Sequence, residues 1–129
     1  MGSSRRVVPI LCLVAGLVTT AACTNPASPD EVRIDPIQID TVTVLLLAPA
    51  EASARVRGAI GDGCSTLKSV TQSRSGNAVT VTILRERRLN AVCTQQLLLY
   101  DETIRLEGTY PAGRYTLNVN GVAITFDTV

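Results

Sequence analysis

From Ile37 onward, apolar and polar side chains alternate along the chain with a period of two. Val56, for example, lies between Arg55 and Arg57, so apolar and charged side chains would point to opposite faces of an extended strand. This pattern predicts a strand over residues 52–60. Further strands are predicted over residues 41–47, 66–72, 78–84, 103–106, 114–119 and 122–128. About seven to nine short strands with regular turns favour an all-β chain folded as a sandwich of two sheets.

Turn residues separate the predicted strands. Gly76 within residues 74–77 predicts a hairpin, because glycine readily adopts positive φ. Asn120-Gly121 is the strongest hairpin signal in the chain, since a type I′ turn needs positive φ at both central residues. The adjacent carboxylates of Asp101 and Glu102 predict a further turn, and residues 85–90 are interpreted as a charged loop.

Residues 106–119 read Leu-Glu-Gly-Thr-Tyr-Pro-Ala-Gly-Arg-Tyr-Thr-Leu-Asn-Val. This segment resembles the E–F corner and F strand of fibronectin type III and related immunoglobulin-like domains, where a Leu, a Pro-Gly turn and a Tyr precede an alternating apolar strand. The resemblance implies an antiparallel, immunoglobulin-like β-sandwich. It also implies that Tyr115 is the corner tyrosine, with its ring in the core and its hydroxyl bonded to backbone a few residues upstream. The chain departs from the family in having no Trp.

The first 23 residues have the order of an export signal. Arg5 and Arg6 precede an apolar run over residues 7–18, and Thr20-Ala21-Ala22 leads into Cys23. A cysteine after small residues resembles the lipobox of bacterial lipoproteins, although Thr20 stands where that family prefers Leu. The resemblance implies removal of residues 1–22 and lipidation of Cys23. The protein would then be anchored on the extracytoplasmic side of a bacterial envelope membrane.

Two other interpretations of this segment stay open. An ordinary secretory peptide cut near Ala22 would leave Cys23 as a free thiol. An uncleaved membrane span is disfavoured, because an apolar helix over residues 7–18 would rise only about 18 Å against a hydrocarbon core of about 30 Å. Ser4-Arg5-Arg6 half-resembles a twin-arginine motif, so the export route is also open.

The expected domain plan follows from this signal. After the signal peptide (1–22), residues 23–36 are polar and carry three prolines, which predicts a tether of up to about 40 Å when fully extended. Residues 37–129 would form the sandwich. Once Cys23 is lipidated and Cys12 has left with the signal, Cys64 and Cys93 remain, and in an oxidising compartment they most simply form a structural disulfide.

The amino-acid composition disfavours an enzyme. The chain has no His, which removes the commonest general base and metal ligand. No nucleophile–base pair or metal-ligand set is recognised, so we expect no catalytic, cofactor-binding or metal-binding residues and no enzyme activity. With 12 basic against 11 acidic residues there is no basic face that would favour nucleic acid.

Two surface features could contact partners. Arg85, Arg87 and Arg88 form a dense charge cluster that could bind anionic lipid head groups or an acidic protein, or could belong to a solvated loop. The apolar run of residues 97–100 is expected to be buried on both faces or at a packed edge.

These observations favour a non-catalytic accessory module that docks another envelope or surface protein, for which an exposed sheet edge would serve. The alternative is an extracytoplasmic ligand-binding or protease-inhibitory β-domain.

Overall fold

The computed structural model describes residues 31–129, which form eight strands. The strands are β1 (Val32–Pro36), β2 (Gln38–Leu47), β3 (Glu51–Gly61), β4 (Ser65–Ser75), β5 (Ala78–Arg88), β6 (Leu98–Arg105), β7 (Gly113–Val119) and β8 (Val122–Thr128). Within this part of the chain no helix is long and apolar enough to cross a membrane. The predicted signal peptide and Cys23 lie outside the described residues.

The strands form two sheets. One has the order β2-β3-β6, and the other contains β1, β4, β5, β7 and β8. Strand β5 pairs with β4 along one edge, while β1 and β7 share its other edge at opposite ends. The prediction of an all-β sandwich is confirmed. Every pairing is antiparallel except β5–β7, which is parallel because the chain crosses to β6 in the opposite sheet between these two strands.

The core lies between the inner faces of the sheets. The alternation predicted from the sequence is confirmed on β3 and β7, where the apolar side chains of one parity are buried. Fully buried side chains include Ala54, Val56, Val81, Ile83 and Leu117. Burial of such side chains is the main favourable contribution to folding, at about 1.5–3 kcal/mol for each large one.

Tyr115 takes the place that the fibronectin-like resemblance implies. Its ring is buried, and its hydroxyl donates a hydrogen bond of 2.8 Å to the carbonyl oxygen of Pro111. The ring stacks on Phe126 at a centroid distance of 5.4 Å and meets the edge of Tyr110 at 5.2 Å. This aromatic cluster closes the core at one end of the sandwich.

Both predicted hairpins are confirmed. Gly76 has a φ of 59°, and Asn120 and Gly121 have φ values of 47° and 92°. The predicted pairing of Cys64 with Cys93 is also confirmed as a disulfide, with a Cα–Cα distance of 5.2 Å. It joins the β3–β4 turn to the segment that leads from β5 to β6.

The sandwich begins earlier than expected. Strand β1 pairs with residues 84–88 of β5, so Val32–Pro36 belongs to the sheet and not to the predicted tether of residues 23–36. Pro36 is tolerated because β1 is an edge strand, where a missing backbone N–H need not break a pairing. The chain passes to the other sheet at Ile37, which is buried and donates its N–H to the Ile83 carbonyl at 3.1 Å.

Two predicted interruptions are wrong. Asp101 and Glu102 do not form a turn but lie inside β6, where both carboxylate oxygens of Asp101 accept hydrogen bonds from Arg55 on β3 at 3.0 Å. The charged loop predicted over residues 85–90 also begins too early, since Arg85–Arg88 continue β5. In both places nearby opposite charges compensate most of the charges that would otherwise oppose strand formation, with Arg88 as the exception.

Candidate functional site

The two ends of the sandwich differ in chemistry. At one end, which we call the proline end, the β2–β3 connection contains Pro49 and meets Tyr110 through a backbone hydrogen bond of 2.8 Å from Tyr110 N to Ala50 O. At the other, the disulfide end, the Cys64–Cys93 bridge lies beside the last residues of β5. Both ends hold candidate sites.

The proline end carries an exposed apolar run. Leu45, Leu46 and Leu47 are 43%, 49% and 49% exposed, and they end β2, an edge strand of the three-stranded sheet. Leu46 lies on the same inward-facing side of β2 as Val44, whereas Leu45 and Leu47 lie on the outer face. The leucines therefore present apolar surface on both faces of one strand edge.

A cleft of about 460 Å³ adjoins this run. Its lining is mostly apolar and consists of Leu46, Leu47, Ala48, Pro49, Ala50, Glu51, Tyr110, Thr128 and Val129. The polar side chains in it already have partners. Glu51 forms an ion pair with Arg105 at 2.5 Å, and the Thr128 hydroxyl donates a hydrogen bond to Pro111 O at 2.6 Å. Burial raises the pKa of the Tyr110 hydroxyl, which donates to Glu107 O at 3.1 Å.

At the disulfide end, the predicted arginine cluster is divided between two faces of β5. Arg85 and Arg87 lie on the same face of β5 as the buried Val81 and Ile83, so they point between the sheets. Arg85 donates from Nη1 to Ile60 O at 2.8 Å, and its Nη2 lies 3.8 Å from an Asp35 carboxylate oxygen. Arg88 lies on the opposite parity and is exposed.

Arg87 and Asp62 form a bidentate ion pair at this end. Two guanidinium nitrogens of Arg87 donate to the Asp62 carboxylate, with a shortest distance of 2.6 Å. The carboxylate also accepts hydrogen bonds from the backbone N of Cys64 and from the Ser65 hydroxyl. The Arg87 guanidinium, assisted by these donors, lowers the pKa of Asp62. This network fixes the β3–β4 turn next to the disulfide.

Arg88 differs from its neighbours. Glu86, on the same face, is paired with Lys68 at 2.6 Å, whereas Arg88 has no ion pair or side-chain hydrogen bond within residues 31–129. Arg88 lines a small depression together with Thr66, Glu86 and Val92. Of the three predicted contact residues, Arg88 is therefore the one whose charge is available to a partner.

The segment after β5 adds apolar surface at this end. Residues 89–97 contain no charged side chain, and Val92 within them is fully exposed. The expectation that residues 97–100 are buried on both faces is wrong for Leu97 and Leu99, which are 61% and 72% exposed, although Tyr100 is buried. Strand β6 is an edge strand whose outer face is uncovered, so only the inward parity is buried.

The outer face of the three-stranded sheet holds a further charge group. Asp101 accepts from Arg55 at 3.0 Å and lies 3.5 Å from Arg57, and the Arg55 guanidinium lowers its pKa. Exposed pairs of this kind contribute little to stability, because water screens the two charges. Among residues 31–129 no group of His, Cys, Asp and Glu could hold a metal ion.

The leucines at positions 45–47 are not distinguished by the strand prediction for residues 41–47. The available signal was the loss of alternation: after Thr41-Val42-Thr43-Val44, three leucines follow one another, so one of the two faces must carry apolar surface beyond the core.

Comparisons with known proteins are consistent with the sandwich. A protein of Herpetosiphon aurantiacus described as an uncharacterized 10.2 kDa protein in the HgiCIIM 5′ region is 31% identical over 87 residues, which cover 67% of this chain and 93% of that protein. A second 10.2 kDa protein of the same organism, in the HgiBIM 5′ region, is 29% identical over 75 residues, covering 58% of this chain and 92% of its own length. No solved structure matches the chain.

The model of the ORF11 β-sandwich domain matches residues 54–128, from the middle of β3 to the end of β8. This match includes the Cys64–Cys93 bridge, the Tyr115 corner and the Asn120-Gly121 hairpin. It spans more than half of the chain, and the chain therefore belongs to the ORF11 β-sandwich domain family.

Proposed function

We propose that the protein is a non-catalytic, lipid-anchored module of a bacterial cell envelope that docks another envelope or surface protein through its proline end. The observation that carries the proposal is the run Leu45–Leu47, half exposed on an edge strand beside an apolar cleft. An edge strand offers unpaired backbone groups to a second chain, and neighbouring pockets can select its side chains.

The other edges are protected in ways that this one is not. Strand β1 carries Arg33 and Asp35, β4 carries Lys68 and Arg74, β6 carries Asp101, and β8 carries Asp127. Charged side chains on edges discourage pairing with another chain. Residues 41–47 of β2 contain no charge and no proline. The unprotected half of β2 is thus the edge best suited to accept a partner strand.

The expected partner is an extended segment with apolar side chains. It would add a strand alongside residues 44–47 and place one apolar side chain in the cleft beside Tyr110. Because Glu51 and Thr128 already have intramolecular partners, the cleft offers mainly apolar contact. The binding energy would therefore come from backbone hydrogen bonds and buried apolar area.

Crosslinking in native membranes followed by purification tests the docking site. We expect the wild-type chain to capture one dominant envelope protein and the Leu47→Lys variant to lose it, because a charge would then lie on the pairing edge. Leu99→Lys is the matched control, since Leu99 is also exposed but lies on the opposite edge of the same sheet. Capture that survives Leu47→Lys, or is lost equally in both variants, contradicts the proposal.

The anchor is tested separately. Metabolic labelling with a palmitate analogue should mark the protein and vanish in the Cys23→Ser variant, which should also leave the membrane fraction. Unchanged labelling in Cys23→Ser would refute lipidation at this cysteine.

A small apolar ligand is the second candidate, favoured by the cleft itself, whose 460 Å³ lies within the usual size of ligand sites. Native mass spectrometry of protein purified from membranes would detect such a ligand. It should disappear in a Leu46→Trp variant, whose larger side chain would occupy the cleft. A mass equal to that of the bare protein argues against this candidate.

A further inference from the structure

We propose that the disulfide end is a lipid-binding surface that rests on the bilayer carrying the anchor, with Val92 inserted among the lipids and Arg88 on an anionic head group. This inference rests on the proposed lipidation of Cys23. It gives a function to the disulfide end, which is opposite the end proposed to dock a protein.

The path of the chain sets the orientation. Val32 pairs with Arg88, and the backbone N of Leu89 donates to Glu31 O at 3.0 Å, so the chain enters the sandwich at the disulfide end. The segment from Cys23 to Glu31 can span at most about 26 Å at 3.3 Å per residue. From Val32 the chain runs through β1 and β2 to Leu47 at the proline end, about 50 Å away when extended. A membrane-bound Cys23 therefore keeps the disulfide end within about 26 Å of the bilayer, whereas the proline end can lie farther from it.

The chemistry of this end suits a bilayer surface. Residues 89–97 carry no charge, so bringing them to the lipid surface does not require an ion to lose its water. Val92 is fully exposed, and Leu89 and Leu97 add apolar area on either side of it. Apolar side chains that enter the boundary between head groups and acyl chains supply binding energy in proportion to their buried area.

Two carboxylates beside the segment are paired with basic side chains. Glu86 is neutralised by Lys68, and Asp62 by Arg87, at 2.6 Å in each pair. Arg88, which has no side-chain partner in the described part of the chain, remains to bind a lipid phosphate. Arginine suits this role because its guanidinium can form two parallel hydrogen bonds to a phosphate.

The segment is held in place before it meets the membrane. The Cys64–Cys93 bridge fixes the residue next to Val92, and the backbone N of Gly63 donates to Thr94 O at 3.1 Å. A preorganised contact loses less conformational entropy on binding than a free loop would. The disulfide thereby acquires a role in presenting Val92 as well as in stability.

The absence of Trp from the chain allows a direct test. A Val92→Trp variant, purified with its lipid from the membranes of producing cells, is reconstituted into vesicles of phosphatidylethanolamine and phosphatidylglycerol that contain brominated acyl chains. Leu45→Trp is the control, because Leu45 is also exposed but lies at the proline end. We expect blue-shifted, quenched emission from Val92→Trp and unshifted, unquenched emission from Leu45→Trp. Adding Arg88→Gln, or using phosphatidylcholine alone, should reduce the quenching of Val92→Trp severalfold.

The outcomes separate this inference from the anchor. If both variants are labelled by the palmitate analogue and bind the vesicles, but Val92→Trp is no more quenched than Leu45→Trp, the inference is wrong and the anchor stands. If Val92→Trp is quenched equally in vesicles with and without phosphatidylglycerol, only the role of Arg88 is contradicted. Unlabelled protein that stays off the vesicles contradicts the anchor and the inference together.

Discussion

The side chain of Asn120 pairs with the backbone of Ile83 as a strand residue would. Its Oδ1 accepts the N–H of Ile83 at 2.9 Å, and its Nδ2 donates to the Ile83 carbonyl at 2.8 Å. The same Nδ2 lies 3.0 Å from the carbonyl of Ile37. Strand β1 pairs with β5 on one side of this point and β7 on the other. Asn120 thus fills the gap between two strands that share one edge of β5.

Asn120→Gly should lower the free energy of unfolding by about 2 kcal/mol, because the buried N–H of Ile83 loses its acceptor. Glycine accepts the positive φ of this position, so the turn itself is not strained by the change. Urea unfolding measures the loss. Asn77→Gly is the control: its side-chain bond to Arg114 O is exposed, and we expect about 0.5 kcal/mol or less. Equal losses in the two variants would contradict the bridging role of Asn120.

Tyr115→Phe should cost about 1 kcal/mol of stability, a low value for a buried hydroxyl, because Pro111 O keeps a second donor in Thr128 Oγ1 at 2.6 Å. In a Thr128→Val background the same change should cost more, since the carbonyl then loses both donors. A double-mutant cycle by thermal or urea unfolding measures this coupling. Strictly additive losses would show that the two hydroxyls do not share the Pro111 carbonyl.

Local sequence patterns were sufficient for two hairpins and for the core face. The Asn120-Gly121 hairpin and the Tyr115 corner each depend on residues close together in the chain, so short motifs predicted them. The second function of Asn120 could not be predicted in this way. Its bonds to Ile83 and Ile37 depend on strands that are distant in sequence and share an edge only in the folded sheet.

Charged residues were the main source of error. Asp101 looked like part of a turn because its partner, Arg55, is 46 residues away. Arg85 and Arg87 looked like a solvated loop, although they continue the parity of Val81 and Ile83 and could have been assigned to the inner face from that alternation. What the sequence could not show was which opposite charges would lie beside them, namely Asp35 and Asp62.

Removal of the disulfide by a Cys64→Ala/Cys93→Ala double substitution should lower the stability by about 3–4 kcal/mol, because the sequence separation is 29 residues and loop closure restricts the unfolded chain. Urea unfolding of the double variant should match that of the reduced wild-type protein. If the exposed segment around Val92 is held mainly by the bridge, its amide hydrogen exchange should also accelerate more than that of β7. A uniform acceleration would place the effect in global stability alone.

The Arg87–Asp62 pair makes the stability of the sandwich depend on acid. Asp62 has a pKa below its usual 3.8 in the folded protein, chiefly because of the hydrogen bond from Arg87. Since the folded pKa is depressed, the stabilisation is present above the unfolded pKa and is lost as the pH falls through the folded value.

Asp62→Asn should therefore flatten the fall of stability with acid in the window from about pH 4 downward, as measured by urea unfolding at a series of pH values. Arg87→Gln should flatten it in the same window, since it removes the main cause of the lowered pKa. Asp127→Asn is the control at the other end of the sandwich. Its partner Arg114 is more exposed than Arg87, and water weakens such a pair, so its effect on the acid slope should be smaller. An unchanged slope in both Asp62→Asn and Arg87→Gln would mean that the pair orders the β3–β4 turn without contributing to acid stability.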